Sequence, residues 1–332
     1  MQDSKHFRRL ALTGLGLILP LAVLLVYFAA ADPMKCFRMY SNPLEKGVTM
    51  NDRIFQSRWL ASHPFPYDAF ILGSSRGKSF HTEPWKQYTG ASCPFHMCVN
   101  DESIYGIARK LEYLEKEKYE IRHVLLLLDH RILGRPYNPE PHIFREYPAV
   151  SGESPAAFYQ RFLIAFLKPS FLKAWVLHST ADVEDQVFFF SVDFRYNLFT
   201  GDHIYAEYES RLAEDEDLFY REQASVFYDR PASMQNLEPV ITRETISELE
   251  RIASLLDRNH SNYQVVITPN YDQLKMHPDD LEVLFSLFGR DRIHDFSGVN
   301  NYTQNIRHYY EERHFRPFIA DSIMAQVYQR KP

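Results

Sequence analysis

The chain has 332 residues, of which 45% are hydrophobic and 24% charged, and its formal net charge is -6. This composition is typical of a packed globular protein and excludes global disorder, while the length suggests two domains or one domain with insertions. The acidic balance lacks the basic excess that binding to a phosphate backbone needs, so nucleic acid is not expected as a partner. Three cysteines are too few for a disulfide framework.

The segment Leu10–Ala31 carries no charged residue. As a helix it would cover about 30 Å, the thickness of the hydrocarbon core of a bilayer. We therefore predict a short tail at 1–9 and a transmembrane signal anchor at 10–31, with the remaining chain on the extracytoplasmic side of the cell membrane. Cleavage after Ala31 is the alternative, because three consecutive alanines precede Asp32. Both interpretations place the same domain outside the cytoplasm.

Strands and helices alternate through the rest of the chain, after a linker and leading helix at 32–64. Asp101 is predicted to cap the second helix, and the apolar run Arg122–Leu128 is typical of a strand covered on both faces. The predicted strands are Asp68–Gly73, Pro94–Val99, Arg122–Leu128, Tyr263–Thr268 and Arg292–Phe296. The predicted helices are Asp52–Ser62, Glu102–Lys118, Glu244–Arg258, Pro278–Phe288 and Pro317–Gln329.

This alternation predicts an α/β fold in which a doubly wound parallel sheet occupies residues 65–332. An aromatic-rich stretch at about 133–240 interrupts the pattern, and we expect it to be a mostly helical insertion. Its many aromatic side chains are more typical of a core or interface than of sugar stacking. The acidic run Glu214–Asp217 is expected to be a solvated surface.

A candidate nucleophile follows the first predicted strand, in Gly73-Ser74-Ser75. Ligands of open parallel sheets bind beyond the carboxyl ends of the strands, and a serine after a sharp glycine turn points its hydroxyl into that crevice. Backbone N–H groups of the turn can then bind an oxyanion. Taken alone, this tripeptide is more typical of a plain turn with a helix-capping serine.

A candidate base and acid stand close to the C-terminus, directly before the last predicted helix. A serine nucleophile needs a base near neutral pKa and an acid that holds the tautomer of the base. Glu311 and His314 are three residues apart, on one loop or helical turn, so the carboxylate can reach one imidazole nitrogen. The other nitrogen would then face Ser75. The serine turn and the Glu311–His314 pair are much less expected to occur together by chance than either signal alone.

The arrangement resembles the SGNH (GDSL-like) hydrolase superfamily over residues about 65–130 and 240–330. The resemblance implies a flavodoxin-like fold in which Ser75 is the nucleophile, His314 the base and Glu311 the orienting acid, with no metal and no cofactor. The anchor, the Gly-Ser-Ser form and Asp295–Gly298 are most similar to the envelope branch, which includes DltD-like and alginate-acetylation-type proteins. That branch implies an acylated glycan or envelope polymer as substrate and a membrane acyltransferase as a partner.

The chain departs from the family pattern in two ways. Its acid is Glu rather than Asp, and the family's Gly-x-Asn-Asp element is replaced by Leu128-Asp129-His130. The missing asparagine normally donates to the oxyanion; Asn100, after the second strand, is our candidate replacement beside the Ser75 N–H. A structural role for Asn100 in the turn remains open. The candidates for contact with substrate are Ser74, Arg76, Asp129 and His130.

The leading hypothesis is a membrane-anchored serine esterase or O-acyltransferase that acts on esters of an envelope polymer or glycan. The alternative is a catalytically silent accessory or binding protein that keeps the fold and the crevice. The histidines do not form a His-Glu-x-x-His zinc motif, and no Cys-x-x-Cys is present. A Gly-x-Gly-x-x-Gly dinucleotide motif is also absent after the first strand.

Overall fold

The computed structural model describes residues 2–40, 51–177, 194–230 and 233–329. The chain divides into two compact units, Met1–Asn51 with Pro155–Phe190 and Asp52–Ser154 with Ser191–Pro332. Parts of the linker predicted at 32–64 and of the insertion predicted at about 133–240 lie outside the described residues, namely 41–50, 178–193 and 231–232.

The described helices are α1 (Gln2–Ala31), α2 (Asp52–Ser62), α3 (Thr82–Thr89), α4 (Ile104–Lys116), α5 (His130–Leu133), α6 (Pro148–Ser151), α7 (Pro155–Phe166), α8 (Pro169–Leu177), α9 (Ala206–Glu214), α10 (Glu216–Glu222), α11 (Arg243–Arg258), α12 (Pro278–Phe288) and α13 (Pro317–Gln329). The described strands are β1 (Ala69–Gly73), β2 (Pro94–His96), β3 (His123–Leu128), β4 (Phe194–Tyr196), β5 (His203–Tyr205), β6 (Asn262–Ile267), β7 (Ile293–Asp295), β8 (Tyr309–Glu311) and β9 (His314–Phe315). Short 3-10 helices lie at Ser75–Ser79, His142–Phe144 and Ile306–His308.

In the first unit, α1 is followed by a turn that Asp32 organises. The Asp32 carboxylate accepts hydrogen bonds from the backbone N–H groups of Cys36, at 2.7 Å, and of Phe37. The Phe28 ring packs against Phe37 and, from α7, against Phe166 at a centroid distance of 5.4 Å. Judged by length and mean hydropathy, no helix within the described residues reaches what a membrane crossing requires.

In the second unit, a five-stranded parallel sheet has the strand order β2-β1-β3-β6-β7. The longest pairing joins β3 to β6, from His123 opposite Asn262 to Leu128 opposite Ile267. All four neighbouring pairs run parallel. The predicted α/β class with a parallel sheet is therefore confirmed.

The central strands are buried on both faces. Alternate residues of β1 and β3 pack in one cluster with apolar side chains of α3 and α13, such as Trp85 and Ile323. The residues between them, including Phe70 and Leu126, point to the opposite face and are equally buried. Burial on both faces explains why these strands are continuous apolar runs in the sequence.

Most predicted elements agree with the structure, and the capping prediction for α4 is wrong. α2, α12 and α13 have the predicted bounds, whereas β2 ends at His96 instead of Val99. Asp101 adopts a left-handed conformation with φ of 53°, and its carboxylate bonds to Arg131 and Arg135. The helix therefore begins later, where the Ser103 hydroxyl accepts the N–H of Gly106 at 3.0 Å.

The stretch predicted as an insertion is mostly helical where it is described, from α6 to α10, but it also contains the unpredicted hairpin β4–β5. Gly201, in the hairpin loop, has φ of +74°, and a Cβ atom there would lie 2.4 Å from the His96 carbonyl oxygen. The same close approach lets the His96 N–H donate to Thr200 O at 2.7 Å. The hairpin thereby extends along β2, at one edge of the sheet.

Candidate functional site

Ser75 lies beyond the carboxyl end of β1. At Gly73, strand β3 approaches so closely that a Cβ atom on residue 73 would lie 2.7 Å from Leu127 O, so glycine is required there. The chain then leaves the sheet through Ser74 and enters the 3-10 helix Ser75–Ser79. As the first residue of that helix, Ser75 has a backbone N–H that no carbonyl of the helix accepts. Both its hydroxyl and this N–H lie beyond the carboxyl end of β1, where open parallel sheets generally bind their ligands.

Glu311 and His314 face each other across a tight β-hairpin. Strands β8 and β9 pair antiparallel, and Glu311 stands opposite His314 in the register. The side chains of directly opposed residues lie close together. Glu311 and His314 are therefore neighbours, as expected from their spacing, but strand pairing brings them together rather than a helical turn. The Arg313 N–H donates to Glu311 Oε2 at 2.9 Å, which fixes the carboxylate in the turn.

These three side chains form a continuous hydrogen-bonded chain. His314 Nε2 lies 2.8 Å from Ser75 Oγ, and His314 Nδ1 pairs with Glu311 Oε1. Burial raises the pKa of the Glu311 carboxyl, but the hydrogen bond and charge of His314 outweigh burial, so the pKa lies below its usual value. Glu311 is therefore an anion at neutral pH and holds the imidazole with its Nε2 toward the hydroxyl.

The β8–β9 hairpin packs against the 3-10 helix Ser75–Ser79, which carries the candidate nucleophile and is called the nucleophile helix below. The Ser79 hydroxyl donates to the Phe315 carbonyl, and the Phe315 ring meets Phe80 edge-on at a centroid distance of 6.0 Å. These contacts attach the C-terminal end of the 3-10 helix to the residue that follows His314, so Ser75 and His314 are held by the fold around them. Preorganisation of this kind is what a catalytic constellation needs.

The stretch predicted as an insertion supplies side chains that support His314. The Tyr205 ring, in β5, lies 5.7 Å from the His314 imidazole and is 6% exposed. Glu216, in the acidic run, pairs with Arg316 at 2.8 Å, directly after β9. The acidic run is largely exposed, as predicted, and it also makes ion pairs beside the candidate base.

The end of β3 carries a carboxylate whose oxygens are already occupied. Asp129 is 2% exposed, and its Oδ2 accepts from Ser74 Oγ at 3.0 Å and from Arg76 at 2.9 Å. Its Oδ1 caps α5 by accepting the Ile132 N–H. Burial raises the pKa of Asp129, but the Arg76 charge outweighs it and the pKa lies below its usual value. His130 has a different partner, with its Nε2 2.9 Å from Glu238 O.

Asn100 lies beside the nucleophile helix on the β2 side. Its Oδ1 accepts from Lys78 Nζ at 3.0 Å, and the same ammonium pairs with Asp52 Oδ2 at 2.8 Å. His203, from β5, lies 3.4 Å from the other Asp52 oxygen. Burial raises the pKa of Asp52, yet the Lys78 charge dominates and the pKa falls well below its usual range. Burial also lowers the pKa of His203.

Sequence reasoning missed Lys78, Asp52, His203 and Tyr205. The signal for Lys78 was its position three residues after Ser75, since residues three apart share one side of a 3-10 helix. The signal for the two β5 residues was a pair of short aromatic strands around Thr200-Gly201, which is typical of a hairpin. Asp52 gave no local signal, because its contact with Lys78 depends on tertiary packing.

The arrangement contains the nucleophile, base and acid of a serine triad. Ser75 offers a hydroxyl, His314 an imidazole that can take its proton, and Glu311 an anion that stabilises the resulting imidazolium. Within the described ranges, no group of three or more His, Cys, Asp or Glu side chains is placed to hold a metal ion. Comparison of the sequence with models of known protein families and with curated proteins finds no match.

Proposed function

We propose that this protein is a serine esterase or O-acyltransferase of the SGNH type that works on an acylated glycan or envelope polymer. The observation that carries the proposal is the Ser75–His314–Glu311 chain, with its 2.8 Å contact between hydroxyl and imidazole. The sheet order supports the doubly wound, flavodoxin-like form of the fold, because order 2-1-3-4-5 along the sheet is typical of it.

In the first step, Ser75 Oγ bonds to the ester carbonyl carbon while its proton moves to His314 Nε2. The carbonyl electron pair moves onto oxygen, where the Ser75 N–H donates to the oxyanion. Collapse of this intermediate breaks the bond to the leaving alcohol, which takes the proton from His314. An acyl group is then left on Ser75.

In the second step, the acyl group passes to water or to a hydroxyl of a glycan. His314 removes the proton from the attacking oxygen, the carbonyl carbon bonds to that oxygen, and the Ser75 oxygen leaves with the returned proton. Hydrolysis and transfer use the same groups and differ in which acceptor reaches the acyl-enzyme.

One observation favours the second candidate, a catalytically silent binding protein. The end of β3 offers the crevice a buried carboxylate, Asp129, which accepts hydrogen bonds and cannot donate one to an oxyanion. The family has an asparagine donor in that element. An enzyme must therefore take its second donor from another strand end, and a binding protein needs none.

The charge-free segment Leu10–Ala31 supports the further proposal that the protein is anchored in the membrane with residues 65–332 on the extracytoplasmic side. A membrane acyltransferase that delivers the acyl group would be its partner. Extraction of membranes with alkaline carbonate and protease treatment of intact spheroplasts test this. We expect the protein to stay in the membrane pellet after carbonate extraction and to be digested by protease added to intact spheroplasts. Release into the supernatant would contradict the anchor, and protection from protease until lysis would contradict the orientation.

Labelling with a fluorophosphonate tests the proposed activity, because the reagent bonds to activated serines. We expect the folded protein to be labelled, Ser75→Ala to be unlabelled, and the adjacent control Ser74→Ala to keep its label. Absence of labelling in wild-type protein with a cooperative melting transition would overturn the enzymatic proposal and leave the binding protein.

A further inference from the structure

Lys78 is a buried cation placed next to the proposed nucleophile. It follows Ser75 by three residues in the 3-10 helix, and it is 5% exposed. Its ammonium has two partners, Asp52 Oδ2 at 2.8 Å and Asn100 Oδ1 at 3.0 Å. The Asp52 charge compensates the buried cation, while the contact with Asn100 is a charge-assisted hydrogen bond to a neutral amide.

The backbone places Asn100 alongside the turn that carries Ser75. The N–H of Val99 donates to the Gly73 carbonyl at 3.1 Å, so Asn100 is the next residue beyond the level at which β1 ends. Its own carbonyl accepts from Arg53 Nη1 at 2.8 Å. The main chain of Asn100 is therefore held in place, and only the side-chain amide has a choice of direction.

The hydrogen bond from Lys78 fixes the direction of the Asn100 amide. An ammonium group only donates hydrogen bonds, so the oxygen of the amide must face Nζ and the NH2 group must point away from it. No residue in the described part of the chain accepts a hydrogen bond from Asn100 Nδ2, and that atom is not among the enclosed unpartnered ones. The amide thus keeps a free, accessible donor beside the nucleophile helix.

We propose that Lys78 is a positioning residue that fixes the Asn100 amide so that its NH2 group donates to the oxyanion formed at Ser75. This inference rests on the proposed function and supplies the second donor that the end of β3 does not provide. Lys78 acts through Asn100, because the residue is 5% exposed and its ammonium directs two of its three N–H donors to Asp52 and Asn100. Its charge also polarises the amide, which strengthens the N–H as a donor.

The test is a double-mutant cycle on the hydrolysis of p-nitrophenyl acetate. Loss of one oxyanion donor typically lowers kcat by about 10²–10³-fold, which we expect for Asn100→Ala. For Lys78→Met we expect a loss of about 10–100-fold in kcat with KM changed by less than about threefold, since the amide is misoriented rather than absent. In the Asn100→Ala background, Lys78→Met should cost no further kcat.

Two additional variants separate positioning from folding. Lys78→Gln keeps an N–H donor without the charge, and we expect it to restore part of the kcat lost in Lys78→Met. Lys275→Met removes a lysine that pairs with Asp295 at 2.7 Å beside another strand, and it should lower the melting temperature without lowering kcat. If Lys78→Met lowers the melting temperature so far that it is not folded, the Lys78→Gln cycle with Asn100→Ala decides.

An equal loss of kcat from the Lys78 substitution in both backgrounds would overturn the proposal, because a purely structural role does not depend on Asn100. Unchanged kcat in folded Lys78→Met or Lys78→Gln would overturn it as well. Failure of the proposed function looks different: wild-type turnover would then be absent or would survive in Ser75→Ala.

Discussion

Two imidazole–carboxylate pairs flank the same 3-10 helix, and only one of them meets a hydroxyl. His314 pairs with Glu311 and reaches Ser75 with its second nitrogen, and the imidazole is 21% exposed. His203 lies 3.4 Å from Asp52, is 6% exposed, and has an Nδ1 atom without a partner among the described residues.

The two pairs differ in which cation contacts the carboxylate and in which group faces the second nitrogen of the imidazole. Asp52 forms an ion pair with Lys78, whose ammonium lies 2.8 Å away. Its carboxylate therefore stabilises a permanent cation rather than an imidazolium that forms during a reaction. Burial keeps His203 neutral by lowering its pKa. A histidine next to a carboxylate therefore becomes a candidate base only where the other ring nitrogen meets a hydroxyl at an accessible edge of the sheet.

Replacing the two histidines in parallel should give the largest contrast. We expect His314→Gln to lower kcat for p-nitrophenyl acetate by about 10⁴–10⁶-fold, because the base of a serine nucleophile is lost. His203→Gln should change kcat by less than about tenfold, since it takes no proton in the reaction. Steady-state kinetics on folded variants checks this, and comparable losses from both would remove the distinction between the two pairs.

Replacing the two carboxylates should give the next largest contrast. Glu311→Gln removes the anion that stabilises the imidazolium, and we expect a loss of about 10²–10⁴-fold in kcat. Asp52→Asn leaves the buried Lys78 ammonium without its counter-ion, so we expect a lower melting temperature and a loss of less than about tenfold in kcat. The comparison fails if Asp52→Asn is as inactive as Glu311→Gln at a temperature where both are folded.

A substitution at the end of β3 should lower the stability of the protein and leave its kcat nearly unchanged. Asp129→Asn replaces a carboxylate that accepts from Arg76 and Ser74, and hydrogen bonds to charged groups contribute about 1.5–3 kcal/mol each. We expect urea unfolding to show a loss of about 2–3 kcal/mol in the free energy of unfolding. A large fall in kcat with unchanged stability would instead assign Asp129 to the chemistry.

The smallest expected effect is on the pH dependence of stability. Burial lowers the pKa of His96 from 6.5 to about 3, so the folded chain keeps this imidazole neutral. Between these values the unfolded chain binds the extra proton, and stability therefore falls as pH decreases, by about 1.4 kcal/mol per pH unit for this residue.

We expect His96→Gln to be less stable than wild type at pH 7.5 because the buried imidazole is lost, but to lose less stability between pH 6.5 and 5. Denaturant unfolding at each pH gives both slopes. Equal slopes for the two proteins would show that His96 is not held neutral by the fold.

Local sequence signals located the end of β1 and one half of the site, whereas the other half depended on distant contacts. Gly73-Ser74-Ser75 follows an apolar run, and Glu311 with His314 are close in sequence, so both could be located from local pattern. The Asp52–Lys78 and Lys78–Asn100 contacts join residues 26 and 22 positions apart. Nothing in the spacing of such residues indicates that they meet.

The capping of α4 illustrates the same limit on a small scale. Asp101 and Ser103 are both good capping residues, and local preference does not decide between them. Ion pairs of Asp101 with Arg131 and Arg135 draw its carboxylate away, which leaves Ser103 to cap the helix. Tertiary electrostatics decided the boundary.

The most direct test of the central claim is to find where an acyl group is attached during turnover. Wild-type protein mixed with p-nitrophenyl acetate, quenched with acid and digested, should yield an acetylated peptide whose fragment masses place the acetyl group on Ser75. The same peptide from His314→Gln should remain unmodified. Acetylation of Ser74 or of surface lysines alone, with turnover that persists in Ser75→Ala, would contradict the account.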